Sequence, residues 1–503
     1  MTKLKLMEQK YYDFMNDIAK DDLLEGLLGY GMFADKIPPI FTSLPLYNFC
    51  KSTGYTWTSK KDFSSISYES IRNISVPRIL SIPHPAAYVN LCKYLHDIWP
   101  YLQKHFFEKT KDQSFKVSRV HLRKMKDTKE LFEMNYTNGF KDGYPETDIS
   151  IGARYIVKAD ISNCFPSIYT HAISWALVGL TEAKANQTDR SKWYYKIDYY
   201  TRAMKDNETH GILIGPHSSN LISEIILCAV DNELTSKYKY TRHIDDYTCF
   251  ASSNQEAEEF LLSLSTTLKT YGLALNHKKT EIISLPAPSD KSWKTVLNNI
   301  QLQDTISISE LKRYLDTAIE LSKSNENIAV LKYAIKVLSK KTFSDKVKDY
   351  YFKRIHHLII IYPYLLPLIE ENVIKPLDIE NERIKSLSDD ILEDGIKYRR
   401  YAAINYALYF ALKFKFKLIE TDFIGMSKKC EDCVFMVLSF LYDKINNPDN
   451  IEQYKEIALK LQADIIDMDK YWLFIYEVLT KDELLDHQYK ALKNGRVTFI
   501  KTI

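Results

Sequence analysis

Two adjacent acids, Asp245 and Asp246, sit inside the run Tyr238-Lys-Tyr-Thr-Arg-His-Ile-Asp-Asp-Tyr-Thr-Cys-Phe-Ala251. Neighbouring carboxylates repel, so keeping them together calls for a use of concentrated negative charge. The residues before the pair (Tyr238, Tyr240, Thr241, Ile244) and after it (Tyr247, Thr248, Cys249, Phe250) are β-branched, aromatic or apolar. They predict two short strands joined by a turn at the pair. Such a turn places two carboxylates at one sheet edge, where they suit Mg²⁺, a hard cation that takes a few carboxylates plus phosphate oxygens and water. A third acid, Asp160, ends the predicted strand Tyr155–Asp160, and strand ends before turns are where ligand sites form in α/β architectures. Three such acids in one sheet can hold two Mg²⁺ ions for an in-line phosphoryl displacement, and the acids alone would equally suit a nuclease. Asp21-Asp22 and Asp389-Asp390 are also acid pairs and read as solvated charges, so the dipeptide by itself decides nothing.

The elements that must position these acids follow from periodicity. After the strand ending at Asp160 comes Ile161-Ser-Asn-Cys-Phe165-Pro166 and a helix from about Tyr169 to Leu180. The glycine-punctuated loop Gly211-Ile-Leu-Ile-Gly215-Pro216-His-Ser-Ser219 leads into a helix with apolar pairs Leu221/Ile222, Ile225/Ile226 and Ala229/Val230. Beyond the Asp-Asp hairpin, Ser253-Asn-Gln-Glu256 has capping-box form and opens a helix that Gly272 stops. Leu273-Ala-Leu-Asn276-His-Lys278-Lys279-Thr280 and Glu281 to Leu285 predict a further short hairpin. The order strand, helix, glycine loop, helix, hairpin, helix, hairpin predicts an α+β unit with one helical layer. Pro286-Ala-Pro288-Ser-Asp is a linker, and residues 301 to 503, with only three glycines and four prolines, carry successive amphipathic helices. Four regions result: 1–60, 61–150, 151–290 and 291–503.

The 503 residues, 45% hydrophobic and 26% charged, suit a soluble globular protein of two or three domains. A formal charge of +3 means that any nucleic-acid site must come from local clustering. Lys109, Lys111, Lys116, Arg119, Arg123, Lys124, Lys126 and Lys129 form one such cluster, which also suits a solvated basic face. Seven scattered cysteines predict reduced thiols in a cytosol, and Cys430-x-x-Cys433 lacks the second pair that zinc needs. No secretory signal is indicated at the N-terminus, and the apolar run Leu358–Ile369 is too short to span a bilayer. A cytoplasmic protein with no membrane contact is expected.

Four ordered motifs resemble those of reverse transcriptases. Ala159-Asp160-Ile161-Ser-Asn-Cys-Phe165-Pro-Ser-Ile is similar to the first catalytic motif, Gly215-Pro-His-Ser-Ser219 to the glycine-serine loop, and His243-Ile-Asp245-Asp246 to the Tyr-x-Asp-Asp box. Gly272-Leu-Ala-Leu-Asn276-His-Lys-Lys279-Thr280 is similar to the Gly-Leu-x-Leu-Asn-x-x-Lys-Thr element. The stretch from Asp160 to Trp175, with Gly211-Ile-x-Ile-Gly-Pro216, Ser219 and Glu224-Ile-Ile-Leu, further resembles the abortive-infection reverse transcriptases of bacterial phage defence. The motifs cover residues 155 to 285.

This resemblance implies an α+β fingers-palm fold, with fingers over 61–150, palm over 151–290, and an all-α C-terminal domain of HEAT-like helical pairs in place of a thumb. It implies a bacterial Mg²⁺-dependent DNA polymerase, with Mn²⁺ as an alternative metal, that is a homo-oligomer (trimer or hexamer). It also implies that dNTPs are joined into single-stranded DNA from a protein tyrosine, in several relatives without a template. Asp160, Asp245 and Asp246, with the Ile161 carbonyl, would hold the metals. Phe165 would exclude a 2′-OH, its plain alternative being a core aromatic. Lys279 would meet the triphosphate or pyrophosphate, or else be a solvated lysine. Gly215 would let backbone approach the nucleotide, Ser219 would contact it or cap the following helix, and Arg119 or Arg123 would bind triphosphate from the fingers.

His243 stands where most relatives have Tyr, and Leu213-Ile214 replaces their Pro-Gln beside template and nucleotide. Two other readings remain open: a templated enzyme with a bound non-coding RNA seated on the basic cluster, and a non-catalytic helical scaffold. Among 36 tyrosines, Tyr11, Tyr12 and Tyr489 lie near chain ends that are candidates for mobility.

Overall fold

The computed structural model describes the chain except residues 1–9, 58–61, 73–75, 120–121, 126–127, 133–144, 289–291, 326–328 and 503. The N-terminal part holds α1 (Leu44–Thr53), the hairpin β1 (Ile66–Ser70) and β2 (Arg78–Ile82), and the helices α2 (Pro85–Asp97) and α3 (Trp99–Thr110). Next come β3 (Tyr155–Asp160), α4 (His171–Val178), α5 (Trp193–Ala203), α6 (His217–Leu234), β4 (Lys239–His243), β5 (Asp246–Ala251), α7 (Asn254–Thr270) and β6 (Glu281–Ser284). Helices then run to the end: α8 (Ser292–Asn299), α9 (Ile308–Ser324), α10 (Ala329–Leu338), α11 (Asp345–Ile361), α12 (Asn381–Lys397), α13 (Tyr401–Phe414), α14 (Cys433–Asn446), α15 (Ile451–Ala463) and α16 (His487–Asn494). This is the expected α+β fingers-palm fold with a helical C-terminal region.

The central sheet has strand order β4-β5-β3-β6, antiparallel throughout. α7 packs on β3 and β5, and α6 packs against α7. α6 is buried on nearly all sides, its polar residues included. Ser253 caps α7 by accepting from the Glu256 N–H, and Gly272 adopts φ +77° just past its end, a left-handed stop. One expected element is corrected: residues 273–285 are not a self-paired hairpin. Leu275 bridges Ile161 and β6 pairs with Tyr155–Lys158, so both limbs belong to one interrupted strand antiparallel to β3. The loop thrown out between them carries Asn276 to Thr280.

The expected basic face is also corrected. Lys116, Arg119 and Arg123 are buried; Lys116 and Arg123 lie over the Phe14 ring, and Arg119 pairs with Glu146 at 3.3 Å. Lys124 meets Asp22, Lys129 meets Glu25 and Lys111 meets Glu108, while Lys126 lies outside the described residues. Apolar side chains from Tyr11 to Phe499 form a single core cluster. The chain end returns to its beginning: Thr42 N–H donates to the Phe499 carbonyl (2.9 Å), Lys501 N–H to Ile40 (2.8 Å), and Tyr489 Oη lies 2.6 Å from His84 Nε2. Tyr489 and Tyr11 are therefore buried rather than on loose ends, and half-buried Tyr12 packs edge-on against Phe107. Among the described residues no single helix is long and apolar enough to cross a membrane.

The glycine loop before α6 joins palm to fingers. The Ser81 N–H of β2 donates to the Ile214 carbonyl at 2.8 Å, and Gly215 sits at φ +135°. A Cβ there would lie 2.9 Å from the Ser81 carbonyl oxygen, so the close approach expected of Gly215 is to fingers backbone. Ser219 does not cap α6: the N-cap is Pro216, and Ser219 is fully buried within the first turn, its hydroxyl without a hydrogen-bond partner. Two substitutions separate these roles. Gly215→Ala should lower stability by about 1–3 kcal/mol through left-handed strain, read as a lower urea midpoint, whereas Ser219→Ala should leave that midpoint unchanged or raise it.

Candidate active site

The sheet register brings the acids together. β3 and β5 pair so that Asp160 lies directly opposite Asp246, and the β4–β5 turn, Ile244-Asp245, adds the third. The Ile161 N–H donates to the Asp245 carbonyl at 3.1 Å, tying the turn to the end of β3. One carboxylate oxygen from each of Asp160, Asp245 and Asp246 lies within 4.8 Å of the others. Asp160 is buried, Asp245 half-buried and Asp246 exposed, so the cluster opens to solvent on one side.

Like charges this close oppose ionisation. Desolvation in the cleft, then the charges of Asp245 and Asp160, push the Asp246 carboxyl up to about 6. Asp245 is likewise raised, chiefly by burial and also by Asp160. Both neutral helpers and cations come from the loop thrown out of the interrupted strand. Asn276 Nδ2 donates to Asp160 Oδ2 at 2.9 Å, and Lys279 Nζ lies 3.1 Å from the same oxygen. The loop is itself pinned: Asn276 N–H donates to the Asp160 carbonyl (2.7 Å), and the Asn276 carbonyl accepts from the Lys279 N–H and the Thr280 hydroxyl. One ammonium against three acids leaves an excess of negative charge, which a hard divalent cation fits. Among the described residues no hydrogen bond takes the Ile161 carbonyl, so the implied further ligand is available.

Sequence reasoning passed over what holds the turn. Ile244 is at φ +55°, a left-handed conformation rare for a β-branched residue. Arg242, fully buried, donates from Nη1 to the Ile244 carbonyl at 2.9 Å. Its guanidinium also pairs with Glu224 (3.0 Å) and Asp231 (2.6 Å), both on α6 and both buried. Ser118 donates to Glu224 at 2.5 Å and Tyr240 to Asp231 at 3.0 Å, completing the network. The available signal was Glu224 and Asp231, seven positions apart and flanking the apolar run Ile225–Val230, with a following strand that alternates Tyr240 and Arg242. Arg78, exposed on β2, was also missed; its positive field reaches Asp245 and lowers that carboxyl.

The remaining expected residues divide. Phe165 is half-buried, and its carbonyl accepts from the Ile212 N–H at 2.9 Å, so the glycine loop braces it just past β3. Arg119 and Arg123 are turned to Glu146 and Phe14, and Gly215 and Ser219 to the fingers and the core, so none of the four joins the carboxylates here.

A two-acid turn and an opposing strand acid in an antiparallel sheet, with a lysine and an asparagine on the same oxygen, form an arrangement suited to a divalent metal and to phosphoryl chemistry. The family model "Reverse transcriptase (RNA-dependent DNA polymerase)" matches residues 91–333. The chain thus carries a reverse transcriptase domain over these residues. Among solved structures it is similar to apo telomerase from Candida tropicalis truncated from the C-terminal domain (14% identity, 48% of this chain and 55% of that one, TM-score 0.29). It is also similar to apo telomerase from Candida tropicalis (12% identity, 76% and 77%, TM-score 0.33). A third is telomerase from Candida albicans in complex with a TWJ fragment of telomeric RNA (12% identity, 72% and 67%, TM-score 0.31). The chain spans just over half of the first of these, at 55%. No curated protein matches it.

Arg242 offers a direct test of turn positioning. Arg242→Lys keeps a charge but loses the fork that reaches two acids and a carbonyl together. Its kcat should fall on the order of a hundredfold, the scale of a displaced catalytic group, while KM for dNTP changes little. A wild-type kcat in a folded Arg242→Lys protein would contradict the assignment.

Proposed function

We propose that the protein is a Mg²⁺-dependent DNA polymerase of bacterial anti-phage defence that starts strands on one of its own tyrosines and extends them without a template. The observation that carries the polymerase reading is the carboxylate triad with Lys279 and Asn276 on one of its oxygens. Asp160, Asp245, Asp246 and the Ile161 carbonyl would hold the divalent ions, which supply activation of the attacking hydroxyl and neutralisation of charge on the phosphates. The attacking oxygen is a tyrosine hydroxyl for the first addition and the 3′-hydroxyl afterwards. A bond from that oxygen to the α-phosphorus forms, the bond to pyrophosphate breaks, and the hydroxyl proton passes to solvent.

The chain's own residues set up this displacement. Asn276 fixes the rotamer of Asp160. Lys279, 65% exposed, is free to swing its ammonium from Asp160 onto the phosphates as they arrive. Arg78 adds positive charge from the fingers side. Phe165, braced by Ile212, is the candidate barrier to a 2′-OH and hence the source of deoxynucleotide preference.

Support for untemplated synthesis comes from the two departures before Gly215. Leu213 is buried and the Ile214 carbonyl is engaged by Ser81, so this loop presents no side-chain amide to a template base. The alternative of an RNA seated on the basic segment is less favoured, because among its described residues Lys116, Arg119 and Arg123 are buried and Lys111, Lys124 and Lys129 are paired with acids of this chain. Membership of phage defence rests on the motif resemblance from Asp160 to Glu224.

Purified protein given labelled dNTPs and Mg²⁺, with no nucleic acid, should yield a high-mass product that protease releases and that Asp245→Asn abolishes. Incorporation that appears only with added RNA, and copies its sequence, would overturn the untemplated reading. No incorporation under any condition would overturn the proposal as a whole.

A further inference from the structure

A cavity of about 400 Å³ opens between the fingers hairpin and the helical C-terminal region. One wall is the end of β1 and the segment after it, with Glu69 and Arg72; the other is the α12–α13 turn, with Tyr398, Arg399 and Arg400, and Tyr362 after α11. The turn holds Tyr398 out in solvent, 53% exposed, although tyrosine is amphipathic and usually keeps its ring on other protein. The Arg400 guanidinium lies 4.8 Å and the Lys397 ammonium 5.2 Å from that ring's centroid, so positive charge surrounds the aromatic group. Asp394 pairs with Arg400 at 3.0 Å, and among the described residues Glu69 is the one acid lining the cavity, against Arg72, Arg399 and Arg400.

Protein packed around the Lys36 ammonium, then the positive fields of Arg78, Lys332 and Arg72, pull it down to about 8. Arg78 is the cation whose field also reaches Asp245. Lys332 in turn lies 5.5 Å from the centroid of Tyr364, a residue lining the cavity. The cations that the cavity itself brings together are Arg72, Arg399 and Arg400 on its walls and Lys332 beside Tyr364. Cations crowded in this way repel one another, and a polyanion laid along them would relieve the repulsion.

We infer that this groove is a single-strand nucleic-acid site that takes the growing DNA, with phosphates on Arg72, Arg399 and Arg400 and a base stacked on Tyr398. The chemistry is that of single-strand binding surfaces: a positive track for the backbone and an aromatic face that accepts any base. A polymerase that copies no template has no duplex to hold, so its product leaves as a flexible single strand, which such a track would guide. The inference rests on the DNA-synthesis reading above for the identity of the strand, and its test does not depend on synthesis.

The full-length protein, without dNTPs or Mg²⁺, is titrated into fluorescein-labelled dT20, rU20 and a 20-base-pair duplex, read by anisotropy. dT20 should bind best of the three. Tyr398→Ser should weaken it about tenfold, within the range of one lost stacking contact. Arg72→Glu, on the opposite wall, should weaken it and lower the slope of log affinity against log salt by at least ~0.7, the share of one phosphate contact. Lys481→Glu, an exposed lysine outside the groove, should change neither. Wild-type affinity in both groove variants, or no dT20 binding by the unmodified protein, would overturn the site. Stronger binding of rU20, lost in the same variants, would overturn the DNA assignment. If the protein fails to incorporate dNTPs yet binds dT20 as described, the polymerase reading fails and the groove stands.

Discussion

Three carboxylates within 4.8 Å of one another set the problem that the rest of the palm solves. Asp160 and Asp246 face each other across an antiparallel pair, where like charges are destabilising. Nothing in the sheet relieves that; the register imposes it. Relief comes from outside the sheet, by Asn276 and Lys279 on a loop that interrupts the strand beside β3. Behind the turn, Arg242 clasps two buried acids of α6 and the carbonyl of Ile244, holding a strained residue where the third acid requires it. Removing one partner of such a buried ion network typically costs about 3–5 kcal/mol. The turn is thus anchored to the most deeply buried helix in the palm.

Palm, fingers and helical region act on this site as one packed body. The Gly215 loop is wedged against β2, so the fingers backbone and the residue before α6 share a hydrogen bond. Arg78 rides on the same strand and projects positive field to Asp245. The chain end closes the structure by pairing Phe499 and Lys501 with Thr42 and Ile40, and by setting Tyr489 on His84 just after β2. The helical region also packs directly on the fingers hairpin, through contacts of α13 and α14 with β1.

The chemistry was legible in the sequence because it is local. Asp160 at a strand end and the Asp245-Asp246 pair between two strands follow from short-range pattern, while Phe165 and Lys279 were singled out by the motif resemblance. What escaped depends on partners distant in sequence. The segment from Lys111 to Lys129 reads as a basic face until Glu146, Phe14, Asp22 and Glu25 are brought to it. Arg242 drew no expectation from the sequence, because its partners Glu224 and Asp231 lie on another element. Residues 273–285 carry the alternation and turn signals of a hairpin, and only the far strand β3 decides that both limbs pair with it. Gly215 signalled a close backbone approach correctly, but not that the approaching chain is Ser81.

The central claim is that Asp160, Asp245 and Asp246 form one divalent-metal site serving nucleotidyl transfer. Crystals grown with Mn²⁺ and a non-hydrolysable deoxynucleoside triphosphate would test it by anomalous scattering. Two Mn²⁺ peaks ligated by these three carboxylates, with phosphate oxygens on the metals, are the predicted result. Nucleotide bound with no metal at the triad, or metal bound elsewhere with the carboxylates unligated, would contradict it.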